Sequence, residues 1–117
     1  MKKSTGKLVL STRDHYHLIE IENIVYCQSE NTYTTFYLND GQKIKVSVPI
    51  KTVENQLPTK SFVRPHQSYL VNVQHIKSIH KCAGGNLLMD NGQTISISSR
   101  KKSQLLHFLQ NIARIQV

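Results

Sequence analysis

Short runs of β-branched and aromatic residues, separated by turn-forming pairs, recur along most of this sequence. Residues 32–38 read TYTTFYL and have high strand propensity. The Asp40-Gly41 pair that follows supplies the positive φ angles of a tight hairpin turn. In residues 42–48 apolar and polar side chains then alternate, as they do in a strand with one buried face. These features predict an antiparallel hairpin within a chain built mainly from short strands.

The same pattern recurs on both sides of this hairpin. Asn91-Gly92 predicts a second tight hairpin turn. Residues 62–72 have mixed character and are predicted only as a compact segment. A length of 117 residues without an internal repeat suits one domain over residues 1–117. Further strands are predicted over residues 7–12, 15–20, 24–28, 76–81, 86–90 and 93–97.

Two segments have helical spacing instead. Pro49 to Leu57 places apolar side chains three or four residues apart, and Pro58 would end this helix. A second helix closes the chain, and Ser98 or Ser99 can cap its first turn. We therefore expect a mainly β fold with one short helix and one C-terminal helix. The predicted apolar face of the C-terminal helix consists of Leu105, Leu109 and Ile112, widened by Leu106 and Phe108.

The charge of the chain points to a polyanionic ligand. Fifteen Lys and Arg residues against seven Asp and Glu residues give a net charge of +8. The excess is local, because residues 56–117 hold eight basic residues and a single acidic residue, Asp90. A one-sided excess of this kind attracts and steers DNA, RNA or an anionic membrane surface.

Other classes of function find little support. Cys27 and Cys82 lie far apart and predict buried thiols rather than a zinc site or a disulfide. The sequence has no signal peptide and no apolar run of the about 18 residues that span a bilayer, so we expect a cytoplasmic protein. The HExxH, GxSxG and P-loop patterns are absent, so we predict neither an enzyme nor a cofactor or metal site.

Three polar clusters could bind nucleic acid. Residues 100–102 (Arg-Lys-Lys) open the predicted last helix, where cations beside free backbone N–H groups favour phosphate. Residues 64–69 supply a cation, an amide that can pair with adenine, and hydroxyls that suit phosphate oxygens. Residues 29–33 form a polar tip before a predicted strand.

These segments, in this order, resemble the LytTR family of bacterial DNA-binding domains. The most specific stretch is residues 62–72, which read FVRPHQSYLVN, and the resemblance covers approximately residues 7–110. The other matching stretches are residues 21–26 (IENIVY), 29–33 (SENTY), 40–41 (DG), Ile76 with Ile79, 91–92 (NG) and 95–100 (ISISSR).

The resemblance implies short antiparallel sheets in an elongated arrangement, whose loops enter successive major grooves of duplex DNA and bend it. It implies base contacts by Asn31, Thr32, Gln67 and Arg100. Phosphate contacts are expected from Arg64, Ser68, Tyr69, Lys101 and Lys102. His66 and Asn72 are expected to hold local backbone as scaffold.

The resemblance also implies which partners the chain would have. Family members usually carry an N-terminal receiver domain, whereas about six residues precede the first predicted strand, so we expect none here. The chain would be either the excised DNA-binding domain of a response regulator or a stand-alone regulator controlled by a membrane protein. Relatives tend to occupy paired direct repeats, so a dimer on double-stranded DNA is expected.

Two alternatives stay open. A protein-interaction module could use exposed strand edges and the final helix to dock a receiver domain or a membrane-bound regulator. RNA binding would need aromatic side chains on one sheet face. Tyr33 and Tyr37 are predicted on the face opposite Phe36, but no RNP motif surrounds them.

Overall fold

The chain folds mainly into β-strands, as the computed structural model shows for residues 6–81, 85–112 and 114–115. The strands in these ranges are β1 (Lys7–Ser11), β2 (Tyr16–Glu20), β3 (Ile24–Glu30), β4 (Tyr33–Leu38), β5 (Lys43–Val46), β6 (Phe62–His66), β7 (Tyr69–Asn72), β8 (Ile76–His80), β9 (Asn86–Met89) and β10 (Thr94–Ser96). The α-helices are α1 (Ile50–Gln56) and α2 (Lys102–Leu109). Short 3-10 turns occupy Ile21–Asn23, Val73–His75 and Ser99–Lys101. None of the described helices is long and apolar enough to cross a membrane.

The strands pair antiparallel and form three sheets. β1 pairs with β2, and a three-stranded sheet has the order β10-β9-β8. The central sheet has five strands in the order β5-β4-β3-β7-β6. The molecule measures 50 × 33 × 25 Å along its principal axes. The prediction of a mainly β fold with short antiparallel sheets is therefore confirmed.

The predicted Asp40-Gly41 hairpin is the pair β4–β5. Phe36 lies opposite Ile44, and both side chains are buried. Gly41 has a φ of +91°, in the left-handed region that glycine tolerates without strain. Lys43 and Lys45 face the other side of the strand, where they are exposed. The alternation of residues 42–48 therefore predicted both the pairing and its buried face.

Two hydrophobic cores lie on opposite faces of the central sheet. The first core packs the sheet against α1 and the β1–β2 hairpin, and it includes Leu10, Ile19, Phe36, Ile50, Val53 and Leu70. The second core packs the sheet against the three-stranded sheet and α2, and it includes Val71, Leu87, Met89, Ile95 and Leu105. Both cores meet at β3, whose Cys27 belongs to the first and whose Tyr26 belongs to the second. The central sheet is thus buried on both sides over β3 and β7.

Cys27 is a free thiol at the centre of the first core. Burial raises its pKa far above the usual range, so the thiol stays protonated and unreactive. Cys82, the other predicted buried thiol, lies outside the described residues.

Three expectations about local structure differ from what is observed. Residues 62–72, predicted only as a compact segment, form the β6–β7 hairpin. The Ser98 hydroxyl forms no capping hydrogen bond; its backbone N–H instead donates to the Pro65 carbonyl, and a 3-10 turn precedes α2. Because α2 ends at Leu109, Ile112 lies beyond the helix and is 50% exposed instead of packing on its apolar face.

Asn72 provides a test of this architecture, because its buried side chain joins two segments of backbone. Its Nδ2 donates to the Ile24 carbonyl at 3.0 Å, and its Oδ1 accepts from the Gln74 N–H at 3.0 Å. Asn72→Ala leaves the Ile24 carbonyl without its partner, so we expect the free energy of unfolding to fall by about 2–3 kcal/mol. Urea denaturation measures this loss, and Gln74→Ala, which alters an exposed side chain but keeps the backbone bond, is the matched control. Equal losses in both variants would contradict the assignment.

Candidate nucleic-acid interface

The first exposed tip joins β3 to β4. Glu30 pairs with Tyr33 at the end of the hairpin, so Asn31 and Thr32 form a two-residue turn. Asn31 has a φ of +58°, a left-handed conformation that Asn adopts more readily than most residues. Both turn residues are exposed. The turn therefore presents an amide and a hydroxyl side by side to solvent.

Charges beside this first tip are largely compensated. Lys45, on the edge strand β5, lies 3.5 Å from Glu30. The same ammonium group lies 5.0 Å from the centre of the Tyr33 ring, within the range of a cation–π contact. Glu30 is therefore offset by a neighbouring cation and presents less of a barrier to an approaching anion.

The second exposed tip joins β6 to β7. His66 pairs with Tyr69, and Gln67 and Ser68 form the turn between them. The Ser68 N–H donates to Nδ1 of His66 at 3.1 Å, so the imidazole holds the turn from inside. The Gln67 side chain is exposed, and Ser68 is half-buried. An amide that can both donate and accept hydrogen bonds thus projects from a fixed turn.

The pairing of β3 with β7 places these two tips at the same end of the central sheet. β3 and β7 run antiparallel, and Gln28 lies opposite Tyr69. One step further along, the Ser29 N–H donates to the Ser68 carbonyl at 2.8 Å. The end of β3 and the start of β7 are therefore joined, so the Asn31 tip and the Gln67 tip lie next to each other.

A third exposed segment is attached to the same region through backbone. The Ser98 N–H donates to the Pro65 carbonyl at 2.8 Å, and the Lys101 N–H donates to the Ser98 carbonyl at 3.0 Å. Between them, Arg100 is exposed on the 3-10 turn that leads into α2, while Lys101 and Lys102 are half-buried. No side chain caps this turn or α2, and residues 91–117 contain no acidic residue. Three cations therefore surround backbone N–H groups at this point.

Arg64, which is expected to contact phosphate, makes its observed contacts within the protein. Its side chain is only 16% exposed, and its Nη1 lies 2.6 Å from Oε1 of Glu54 on α1. Its Nη2 donates to the Gln67 carbonyl at 2.7 Å. Both Nη groups of the guanidinium thus bind acceptors within the protein, while a phosphate contact by Arg64 stays a prediction.

The remaining predicted residues lie behind the tips. Tyr69 is half-buried, with its ring centre 5.9 Å from that of Tyr26 and 5.8 Å from that of His66. Burial beside Tyr37 and Tyr69 raises the pKa of Tyr26 to about 12, so this ring stays neutral behind the site. Asn72 is buried and binds backbone, as described above. These residues support the turns from the core side.

Sequence reasoning missed the residues that join the three segments. Ser29, Pro65 and Ser98 act through backbone groups, which carry no signal in residue type. Glu54 lies on a helix that the sequence predicted, yet nothing in its position marks it as a partner of Arg64. No cluster of three metal-ligating side chains occurs among the residues that the structure describes.

Comparisons with known proteins agree with this fold. A family model described as the LytTr DNA-binding domain matches residues 14–110. A solved LytTr DNA-binding domain of a response regulator from Bacillus cereus superposes with a TM-score of 0.78 at 26% identity, covering 91% of this chain and 98% of that one.

Curated relatives share only part of their length with this chain. The sensory transduction protein LytT of Bacillus subtilis strain 168 is 29% identical over 106 residues, which are 86% of this chain and 44% of LytT. The transcriptional regulatory protein LytR of Staphylococcus aureus strain N315 is 29% identical over 68 residues, 58% of this chain and 27% of LytR. The chain thus spans less than half the length of these two relatives.

The fold and the matched region together define a DNA-binding module. The chain belongs to the LytTR family of DNA-binding domains.

The imidazole of His66 offers a test of the second tip. His66→Ala removes the acceptor of the Ser68 N–H, so we expect this amide to exchange with solvent roughly tenfold faster, which NMR hydrogen exchange measures. His66→Asn should restore protection, because an Asn side chain accepts from the N–H two residues on, as Asn91 does here. Unchanged exchange in His66→Ala would show that the imidazole does not hold the turn.

Proposed function

We propose that this chain binds duplex DNA sequence-specifically in transcription regulation, with its exposed turns inserted into successive major grooves. One observation carries the proposal: three exposed polar turns, at Asn31, Gln67 and Arg100, are attached to one sheet framework. Two backbone hydrogen bonds of 2.8 Å link these turns in sequence across the sheet. Relatives named transcriptional regulatory proteins support the role in transcription.

Base reading falls to the exposed side chains of the turns. Gln67 can form paired hydrogen bonds with adenine, and Arg100 can do so with guanine. Asn31 and Thr32 offer an amide and a hydroxyl from the first tip. Each of these side chains projects from a backbone that other contacts already hold, so little conformational freedom is lost on binding.

Phosphate binding falls to groups beside the base readers. Lys101 and Lys102 supply cations, and the uncapped N–H groups at the start of α2 supply donors. Ser68 and Tyr69 supply hydroxyls next to the Gln67 turn. These contacts carry no base preference and set the orientation of the domain on the duplex.

The dimensions of the domain suit more than one groove. Its long axis of 50 Å exceeds one turn of the duplex, which is about 34 Å. The major groove is about 12 Å wide and admits a two-stranded ribbon, so it can accept the tip of a hairpin. If turns enter two successive grooves on one side, bending of the duplex toward the protein brings these grooves closer to the turns. We therefore infer bent DNA and, on paired direct repeats, two copies of the domain.

A protein-docking role is the second candidate, and one observation favours it. Val9 and Leu18 lie opposite each other on the β1–β2 hairpin and are 56% and 63% exposed, with Tyr16 on the same face. Such a face could dock a receiver domain or a membrane-bound regulator. Salt separates the roles, because phosphate binding weakens steeply as salt rises and an apolar contact does not.

The proposal predicts different behaviour for neighbouring cations. Arg100→Ala should weaken binding to the specific site by about 1–3 kcal/mol and relax discrimination at one base pair. Lys101→Ala should weaken specific and random DNA alike and reduce the slope of log affinity against log salt by about one. Fluorescence anisotropy with labelled duplexes at several salt concentrations measures both effects. Equal losses on specific and random DNA for Arg100→Ala would remove its base-reading role.

The specific site can be found by selection. We expect enrichment of a repeated motif from a random pool of duplexes of about 30 base pairs, long enough for two half-sites one helical turn apart. Selection at about 150 mM salt suppresses non-specific binding. Retention without an enriched motif would leave a non-specific DNA-binding domain, and absence of retention would favour the docking role.

A further inference from the structure

The side chain of Arg64 lies between helix α1 and the exposed turn that contains Gln67. Arg64 lies on β6, Glu54 lies on α1, and Gln67 lies in the turn after β6. One guanidinium nitrogen binds the Glu54 carboxylate at 2.6 Å, and another donates to the Gln67 carbonyl at 2.7 Å. Arg64 thus ties the turn to α1 through two charge-assisted hydrogen bonds, which are stronger than neutral ones.

Burial limits the contacts that Arg64 can make with a ligand, because its side chain is only 16% exposed. Its third nitrogen, Nε, is inaccessible to solvent and has no hydrogen-bond partner among the described residues. A phosphate therefore cannot reach Nε, and each Nη group already uses one of its two N–H donors within the protein. The nearby Glu54 carboxylate also offsets the positive charge, so Arg64 adds little to the attraction of DNA.

The packing of α1 fixes the position of Glu54. α1 is anchored by Ile50 and Val53, which are both 5% exposed in the first core. The helix ends with the Leu57 N–H donating to the Glu54 carbonyl. A carboxylate on a packed helix therefore sets where the guanidinium lies.

The other backbone groups of the turn are also occupied. The Ser68 N–H donates to His66, and the Ser68 carbonyl accepts from Ser29. With the Gln67 carbonyl bound by Arg64, the peptide linking Gln67 and Ser68 is held on both sides. The exposed Gln67 side chain is left free to meet a ligand.

We propose that the Glu54–Arg64 pair is a positioning device that sets the direction of the Gln67 side chain, and thereby its base discrimination, without touching DNA. This inference rests on the proposed function, in which Gln67 reads a base. It makes Glu54, an acidic residue of a helix outside the interface, a determinant of specificity.

The effect of Glu54→Gln on DNA binding distinguishes this inference from direct phosphate binding by Arg64. If Arg64 bound phosphate, Glu54→Gln would free its guanidinium and remove a negative charge, so all DNA would bind equally or more tightly. If Arg64 positions Gln67, Glu54→Gln weakens the hold on the turn, and discrimination falls. The two roles therefore differ in the base discrimination of the same variant, which is retained if Arg64 binds phosphate and falls if it positions Gln67.

The experiment compares the specific duplex found by selection with variants at each base pair and with random DNA. For Glu54→Gln we expect the preference at the base pair read by Gln67 to fall about threefold to tenfold, with preferences elsewhere unchanged. Arg64→Lys should behave alike, because lysine keeps the charge but lacks the planar fork. Equal or tighter binding to all DNA by Glu54→Gln, with the preference at that base pair retained, would overturn the inference.

Glu20→Gln is the matched control. It removes the same charge from an ion pair with Lys7 at 3.0 Å, and the Glu20 side chain is 43% exposed against 37% for Glu54. Glu20 precedes β3 by one 3-10 turn, at the opposite end of that strand from the Asn31 tip. The base discrimination of Glu20→Gln should match that of the unsubstituted domain. A loss of discrimination equal to that of Glu54→Gln would overturn the inference.

Gln67→Ala separates failure of the inference from failure of the proposed function. If Gln67 reads a base, Gln67→Ala abolishes the preference at one base pair, and adding Glu54→Gln then changes that preference no further. If Gln67→Ala leaves every preference intact, the base-reading role itself fails. If Gln67→Ala removes the preference while Glu54→Gln alone retains it, only the positioning role fails. Thermal unfolding confirms that each variant is folded at the assay temperature.

Discussion

The central strand β3 is hydrogen-bonded along both edges and lies against apolar side chains on both faces, and the positions of the other elements depend on it. Its pairing with β4 fixes the first exposed tip, and its pairing with β7 fixes the second. The three-stranded sheet and α2 pack on one of its faces, while α1 and the β1–β2 hairpin pack on the other. Each segment of the candidate interface is therefore one or two hydrogen-bonded steps from a strand that the two cores hold in place.

At the candidate interface, hydrogen bonds hold the backbone of the turns, whereas the side chains at their tips are exposed. The backbone groups around Ser68 bind Ser29 and His66, and Pro65 binds Ser98 through its carbonyl. Arg64 completes the set from the side of α1. The side chains exposed at the turns are thereby distinct from the groups that hold the turns in place, and the entropy cost of ordering the turns is met on folding.

The sequence predicted the features that depend on local pattern. Alternation and the Asp40-Gly41 pair were enough for the β4–β5 hairpin, since register in a half-buried strand follows from side-chain period. The start of α2 was predicted incorrectly, because Ser98 is held through its backbone by Pro65, thirty-three positions earlier. The partner of Arg64 was not predictable for a similar reason: residue type reveals a cation, but only the tertiary fold shows that Glu54 binds it. Features that depend on local sequence pattern could therefore be predicted, whereas contacts between residues distant in the sequence could not.

Pro65 has a consequence for how copies of this domain behave beside one another. It lies on β6, an outer strand of the central sheet, and it has no N–H to offer a neighbouring strand. Its carbonyl is already bound by Ser98. An incoming strand would meet neither donor nor free acceptor at this position, which is how natural sheets block edge-to-edge growth. A second copy of the domain therefore finds no template for strand pairing at this position of the β6 edge.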